Sequence, residues 1–180
     1  MRDQLLDLVS HTHDLGCIDF IKITGEEDNT YITGLASDNS VVINANFNAP
    51  VKEFKGTFGM PSLSNLKNLL NISEYGTDGQ ITVKRQDRKE EKNTPVGLHF
   101  QNKNNDFNND YRFMVKEVVD EALSSVKFKG ATWDVEFEPN VGNLQRLKMQ
   151  YQAMPEADHF SISTKDNNLI FSIGDHSTHA

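Results

Sequence analysis

The sequence predicts an α+β fold assembled from repeated units, each a helix with antiparallel strands, the helices gathered on one face of the sheets. Three observations carry that expectation. The first is an internal echo. Phe58-Gly59-Met60-Pro61-Ser62-Leu63-Ser64-Asn65-Leu66-Lys67-Asn68-Leu69 is answered by Phe137-Glu138-Pro139-Asn140-Val141-Gly142-Asn143-Leu144-Gln145-Arg146-Leu147, with Asn65 and Asn143 78 positions apart. Each block runs from an aromatic residue through a proline into Asn-Leu-x-x-Leu. A unit that recurs within a chain builds a symmetric or quasi-symmetric architecture. The second observation is apolar–polar alternation in short runs, and the third is the turn-forming cluster that closes each run.

In chain order, residues 2–15 read as a helix with Leu5, Leu8 and Val9 on one face, stopped by Gly16. Residues 17–24, 30–35 and 40–46 read as three strands, separated by Gly25-Glu26-Glu27-Asp28-Asn29 and Ser37-Asp38-Asn39. A second unit follows, with a strand at 52–59 and a helix at 63–72 whose Leu63, Leu66, Leu69 and Leu70 share a face. Strands are then predicted at 80–85, 96–101 and 110–114, the first announced by Asp78-Gly79. Residues 86–94 and 102–109 read as solvated loops, and 115–129 as the crossing between domains.

A third unit opens on 132–138, where Trp133, Val135 and Phe137 alternate as a half-buried strand. Pro139 precedes a helix at 140–154, and 159–164 with 169–173 form a hairpin around Lys165-Asp166-Asn167-Asn168. Two units per domain make residues 1–125 a complete first domain and residues 126–180 the first half of a second. The irregular spacing excludes a solenoid.

Composition narrows the function classes. The 180 residues include 37% hydrophobic ones, enough for a core, and no apolar run approaches the roughly 18–20 residues that span a bilayer. No charged-then-apolar leader occupies residues 1–15, so a secretory signal is not expected. Cys17 is the only cysteine, which excludes an internal disulfide and a cysteine-rich zinc site and fits a reducing, cytosolic setting. A net charge of −8 argues against coating nucleic acid with the whole surface, while leaving room for a local basic face.

No constellation supports catalysis, and no cofactor is expected. The chain has no G-x-G-x-x-G, no P-loop and no G-x-S-x-G, and nothing arranges Ser, His and Asp as nucleophile, base and orienter. His11 and His13 diverge on a helix. Asp158-His159, and Asp175-His176 with His179, are metal-ligand types in close spacing, but a zinc site is not the favoured reading of either. Trp133 and Tyr151 could stack on bases; their apolar faces favour the core, with Phe54, Phe58, Phe100 and Phe113. The basic stretch Lys84, Arg85, Arg88, Lys89 and Lys92 is offset by Asp87, Glu90 and Glu91 and reads as a charge-mixed turn.

The pattern of elements, with the helix at 63–72 and the stretch 136–173 as its matching parts, resembles the processivity sliding clamps of DNA polymerases, particularly those of T-even-type tailed bacteriophages. The resemblance implies a DNA-clamp fold with helices lining a central hole, a homotrimeric ring around duplex DNA, and a polymerase and a clamp loader as partners. It also implies residence in the cytoplasm of an infected bacterial host and a partner pocket near residues 113–128. In that family roughly 40–50 further residues would finish the second domain, by the length of the earlier units. A leading strand before the first helix is not evident, and this chain is not expected to close a ring.

A clamp slides, so it requires basic side chains that meet phosphates loosely, without base readout. Taking about 100° per residue, Arg146 lies nearly opposite the buried Val141, Leu144, Leu147 and Tyr151, and Lys148 falls at the edge of that face. Lys67 flanks the polar side formed by Ser64, Asn65 and Asn68 on the earlier helix. Arg2 is the only cation on the first helix, whose exposed side otherwise carries Asp3, Asp7, Ser10, His11 and Asp14. Arg146, Lys148, Lys67 and Arg2 are therefore the DNA-facing candidates, and the acidic first helix counts against them. The rival reading is a β-rich structural or protein-interaction module of a virion; an enzyme comes third.

Overall fold

The computed structural model describes residues 1–76, 78–88, 92–123 and 130–174. The fold is α+β, and the chain divides into two compact units, Met1–Phe128 and Lys129–Ala180.

In the first unit, helix α1 (Arg2–Ser10) buries Leu5, Leu8 and Val9. It stops short of the predicted residue 15. The Thr12 hydroxyl turns back to donate to Leu8 O at 2.7 Å, and a short 3-10 turn (His13–Leu15) carries the chain to Gly16 at φ 82°. β-branching and backbone competition make threonine a poor continuation of a helix. Strands β1 (Phe20–Gly25), β2 (Thr30–Leu35) and β3 (Val42–Asn46) follow. Residues 52–54 form a 3-10 turn rather than the predicted strand start, because Phe54 is drawn fully into the core. Strand β4 (Gly56–Pro61) then returns antiparallel along β1, giving the order β3-β2-β1-β4.

Helix α2 (Leu63–Leu70) buries Leu63, Leu66 and Leu70. Its first amides are met by Asp19: Leu63 N donates to Asp19 O at 3.0 Å and Ser64 N to Asp19 Oδ1 at 3.1 Å. Strands β5 (Gln80–Gln86), β6 (Thr94–Gln101) and β7 (Asn108–Arg112) form an antiparallel sheet in sequence order. Gly59 and Met114 exchange two backbone hydrogen bonds, at 3.0 and 2.8 Å, which tie the chain leaving β7 to β4. Arg85 donates to three carbonyls, Asn93 O, Glu53 O and Lys55 O at 2.6–2.9 Å, and binds β5 to the turn before β4. One core joins α1, α2 and both sheets, with Phe54, Phe58 and Phe100 fully buried as expected and Phe113 packed against it.

The predicted domain crossing contains a helix, α3 (Lys116–Ala122). Val119 is buried against Gly59, and Lys22 of β1 pairs with Asp120. A Cβ at Gly59 would lie 2.9 Å from Val119 Cγ2 and 3.1 Å from Met114 Cβ, so that glycine leaves room for the helix.

The second unit holds helix α4 (Val141–Ala153) and a hairpin of β8 (Phe160–Lys165) and β9 (Asn168–Ile173). Asn140 Oδ1 caps α4 by accepting from Gly142 N at 2.8 Å. Asp166 and Asn167, at φ 51° and 61°, make the two-residue turn whose positive φ values match the strand twist. The strand predicted at 132–138 is absent, because a strand forms only where a neighbouring strand takes up its backbone groups, and no described strand runs beside it. Trp133 and Tyr151, expected in a core, are 63% and 54% exposed. None of the described residues of this unit is fully buried.

Candidate nucleic-acid interface

The cations proposed to face DNA divide between the units. In the first, the start of α1 lies beside the end of α2: Arg2 Nη2 donates to Leu70 O at 2.8 Å. The half-buried guanidinium satisfies a carbonyl that the helix itself leaves open and meets the negative end of the helix dipole. Lys67 Nζ sits 2.8 Å from Asp14 Oδ1, with both side chains about 40% exposed. Arg2 and Lys67 thus have partners inside the chain. The outer side of α1 carries exposed Asp3, Asp7 and Ser10, with exposed His11 at its C-cap and Asp14 in the 3-10 turn beyond it. Asn65, Asn68 and Asn71 are the exposed residues of the α2 side. The helical face of the first unit is polar and acidic.

In the second unit Arg146 and Lys148 are both exposed on α4. They flank it on different sides. Arg146 borders a cleft of about 390 Å³ with Phe137, Glu138, Gln150 and Phe171. Lys148 borders one of about 450 Å³ with Tyr151, Asp158, His159 and Phe160. Neither ammonium nor guanidinium has a described carboxylate in hydrogen-bonding range, so of the four candidates these two are the cations a phosphate could meet without displacing a partner.

Sequence reasoning missed a further cluster on the outer face of the β5-β6-β7 sheet. The register sets Lys84, Gly97 and Arg112 in one row and Thr82, His99 and Asp110 in the next. Asp110 accepts from Lys84 Nζ at 2.7–2.8 Å and lies 2.7 Å from His99 Nδ1. Lys84, Asp110 and Arg112, with Arg88, border a cleft of about 400 Å³. The missing signal was cross-strand: Asp110 and Arg112 stand far from Lys84 in sequence and meet it through pairing alone. Of the loop read as a charge-mixed turn, Lys84 and Arg85 belong to β5, Arg85 serving structure. Asp87 Oδ1 accepts from Asn93 N at 2.8 Å, and Lys89, Glu90 and Glu91 lie outside the described residues.

The hydrogen bond from Lys84, then that from His99, holds the Asp110 carboxyl below its ordinary value of 3.8. A carboxylate whose folded value is depressed contributes stability above its unfolded value and loses it as pH falls through the folded one. The stability difference between the native chain and Asp110→Asn is therefore expected to hold constant above about pH 5 and to vanish on acidification, as read by unfolding at a series of pH values. The effect is small, because Asp110 is half exposed.

Asp158 accepts from His159 Nδ1 at 2.6 Å as a neighbouring pair, and no group of three metal-ligating side chains is found among the described residues. Asp175, His176 and His179 lie outside them, as do residues 124–128 of the proposed partner pocket. No helix among the described residues is long and apolar enough to cross a membrane. Compared with protein-family profiles and with curated proteins, the chain gives no match.

Proposed function

We propose that this chain is a sliding-clamp-like processivity factor that tethers a replicative DNA polymerase by encircling duplex DNA without sequence specificity. Its fold would be a DNA-clamp fold, the ring of the intact protein would be a homotrimer opened by a clamp loader, and its place would be the cytoplasm of an infected bacterial host. The role is topological and non-enzymatic. One observation supports it most: α2 and α4 begin 78 residues apart, at Leu63 and Val141, and each leads into an antiparallel hairpin. The side-by-side helices of the first unit, backed by antiparallel sheets, are the arrangement such a ring repeats. Contact with phosphates would run through Arg146 and Lys148 of α4, since Arg2 and Lys67 are engaged elsewhere.

The test is stimulation of a cognate polymerase on primed circular DNA in the presence of a loader. Stimulation that vanishes on linear templates with free ends is the expected result; none on circles would end this reading. Arg146→Glu is expected to weaken DNA association of the assembled protein several-fold, with a shallower salt dependence as one phosphate contact is lost. An unchanged affinity removes Arg146 from the contact surface.

One observation favours a second reading, a β-rich structural or protein-interaction module of a virion: the acidic outer side of α1, which repels phosphate. It predicts no DNA association even at low salt.

A further inference from the structure

The outer face of the β5-β6-β7 sheet runs against the charge of the chain. The sequence carries a net charge of −8, yet Lys84, Arg88 and Arg112 border the cleft there beside a single carboxylate, Asp110. Pairing sets three outward rows: Gln80 with Gln101 and Asn108, Thr82 with His99 and Asp110, and Lys84 with Gly97 and Arg112. None of these positions is Phe, Tyr or Trp, and all but Gly97 carry a hydrogen-bonding side chain. The surface suits polar, anionic contact rather than apolar docking.

The last of these rows has an open floor. Neighbouring strands lie about 4.8 Å apart, which sets Lys84 and Arg112 about 10 Å from each other across Gly97. A Cβ at Gly97 would lie 2.5 Å from Tyr111 O, so the close approach of β6 and β7 admits no side chain between the two cations. Lys84 already takes an oxyanion on this face: its ammonium spans β6 and meets Asp110 Oδ1 at 2.7 Å and Oδ2 at 2.8 Å. Arg112 is exposed, and among the described residues no carboxylate pairs with it or with Arg88. Two cations are thus left over once Asp110 has offset one.

We infer that the cleft over Gly97 is a binding site for a phosphate monoester dianion, free or carried on a partner chain, held between Lys84 and Arg112 with Arg88 at the rim. The guanidinium fork of Arg112 suits two phosphate oxygens, and the Lys84 ammonium supplies a point charge to the third. The two charges of such a dianion match the two uncompensated cations. A nucleic-acid diester brings one charge per phosphate, and its bases find no aromatic platform in these rows. The site lies on strands, not on the helices that the clamp reading turns to DNA, so it goes beyond that reading and does not depend on it.

The experiment titrates the whole isotope-labelled chain at pH about 8, where monoesters are dianions, and follows backbone amides by nuclear magnetic resonance. The probes are inorganic phosphate, the peptide Gly-Gly-phosphoserine-Gly-Gly and a thymidine dinucleotide. Saturable shifts of the Gly97 and Arg112 amides are expected, with the dinucleotide binding about tenfold more weakly than the monoester probes. Arg112→Gln is expected to weaken monoester binding about tenfold, as one charge-assisted fork is lost. Asp110→Asn frees Lys84 and is expected to tighten binding severalfold, whereas Asp3→Asn makes the same charge change on α1 and leaves it unaltered. All three substitutions alter exposed side chains. Tighter binding of the peptide assigns the site to a phosphorylated partner, equal or tighter binding of phosphate to the free ion, and either supports it. Absence of saturable binding, preference for the dinucleotide, indifference to Arg112→Gln, or no more tightening by Asp110→Asn than by Asp3→Asn overturns the proposal.

Discussion

Phe58→Ala is expected to cost the first unit about 3–5 kcal/mol, the range for removing a fully buried ring from a core that relaxes only in part. Phe58 has no exposed surface, stacks on Phe113 at 4.2 Å between ring centroids, and meets Phe54 edge-on at 5.8 Å. It also lies in β4, opposite Ile23 of β1, so its loss opens a void between a strand pair and the aromatic group beside it. Against a typical total of about 5–15 kcal/mol, that loss is a large fraction. Denaturant unfolding followed by far-ultraviolet circular dichroism checks it, because Trp133 belongs to the other unit. Phe107→Ala is the internal contrast. Phe107 stacks on Tyr75 at 5.4 Å but is 42% exposed, and its removal is expected to cost about 1 kcal/mol. Equal losses would show that the aromatic group is not the centre of the core.

Gly25→Ala is expected to be comparably damaging for a different reason. A Cβ at Gly25 would lie 2.0 Å from Phe54 O and 2.6 Å from its carbonyl carbon. Both are backbone atoms, so no rotamer change relieves the overlap. The end of β1, opposite Gly56 and bridged to Lys55, has to move away from the turn that places Phe54 in the core. Overpacking costs about 1–3 kcal/mol where side chains can yield; here about 3 kcal/mol or more is expected. Gly16→Ala separates crowding from backbone strain. Nothing lies within 4 Å of its Cβ, and its φ of 82° leaves only the left-handed term, about 1–2 kcal/mol. Should both alanines cost the same, the close approach at Phe54 carries no energy.

What the sequence made legible follows the range of the forces involved. β2 was readable to the residue because its alternation and its flanking turns are local. The hairpin of β8 and β9 was readable because Asp166 and Asn167 tolerate positive φ, a property of two side chains. α3 was not readable. Val119 and Leu123 are its buried contacts, and their meaning depends on the notch at Gly59, about sixty positions earlier. The strand expected at 132–138 failed on the same ground: alternation states which face is apolar but not whether a neighbour exists. The candidate cations show it most clearly. A helical wheel put Arg2 and Lys67 on the surface, and it could not foresee Leu70 O or Asp14, which reach them through the tertiary fold.

The pair of hydrogen bonds between Gly59 and Met114 has a consequence for the order in which the protein matures at the ribosome. The residues of the main core, from Leu5 to Tyr111, all precede that clasp, and α3 closes over it by Leu123. Domains emerging from synthesis fold N-terminal first. The first unit can therefore complete its burial and lock its outgoing strand while the residues of α4 are still within the ribosome. The nascent second unit is then born attached to a finished body, with the exposed Val141 and Leu144 of α4 never competing for the Leu and Phe side chains already enclosed there.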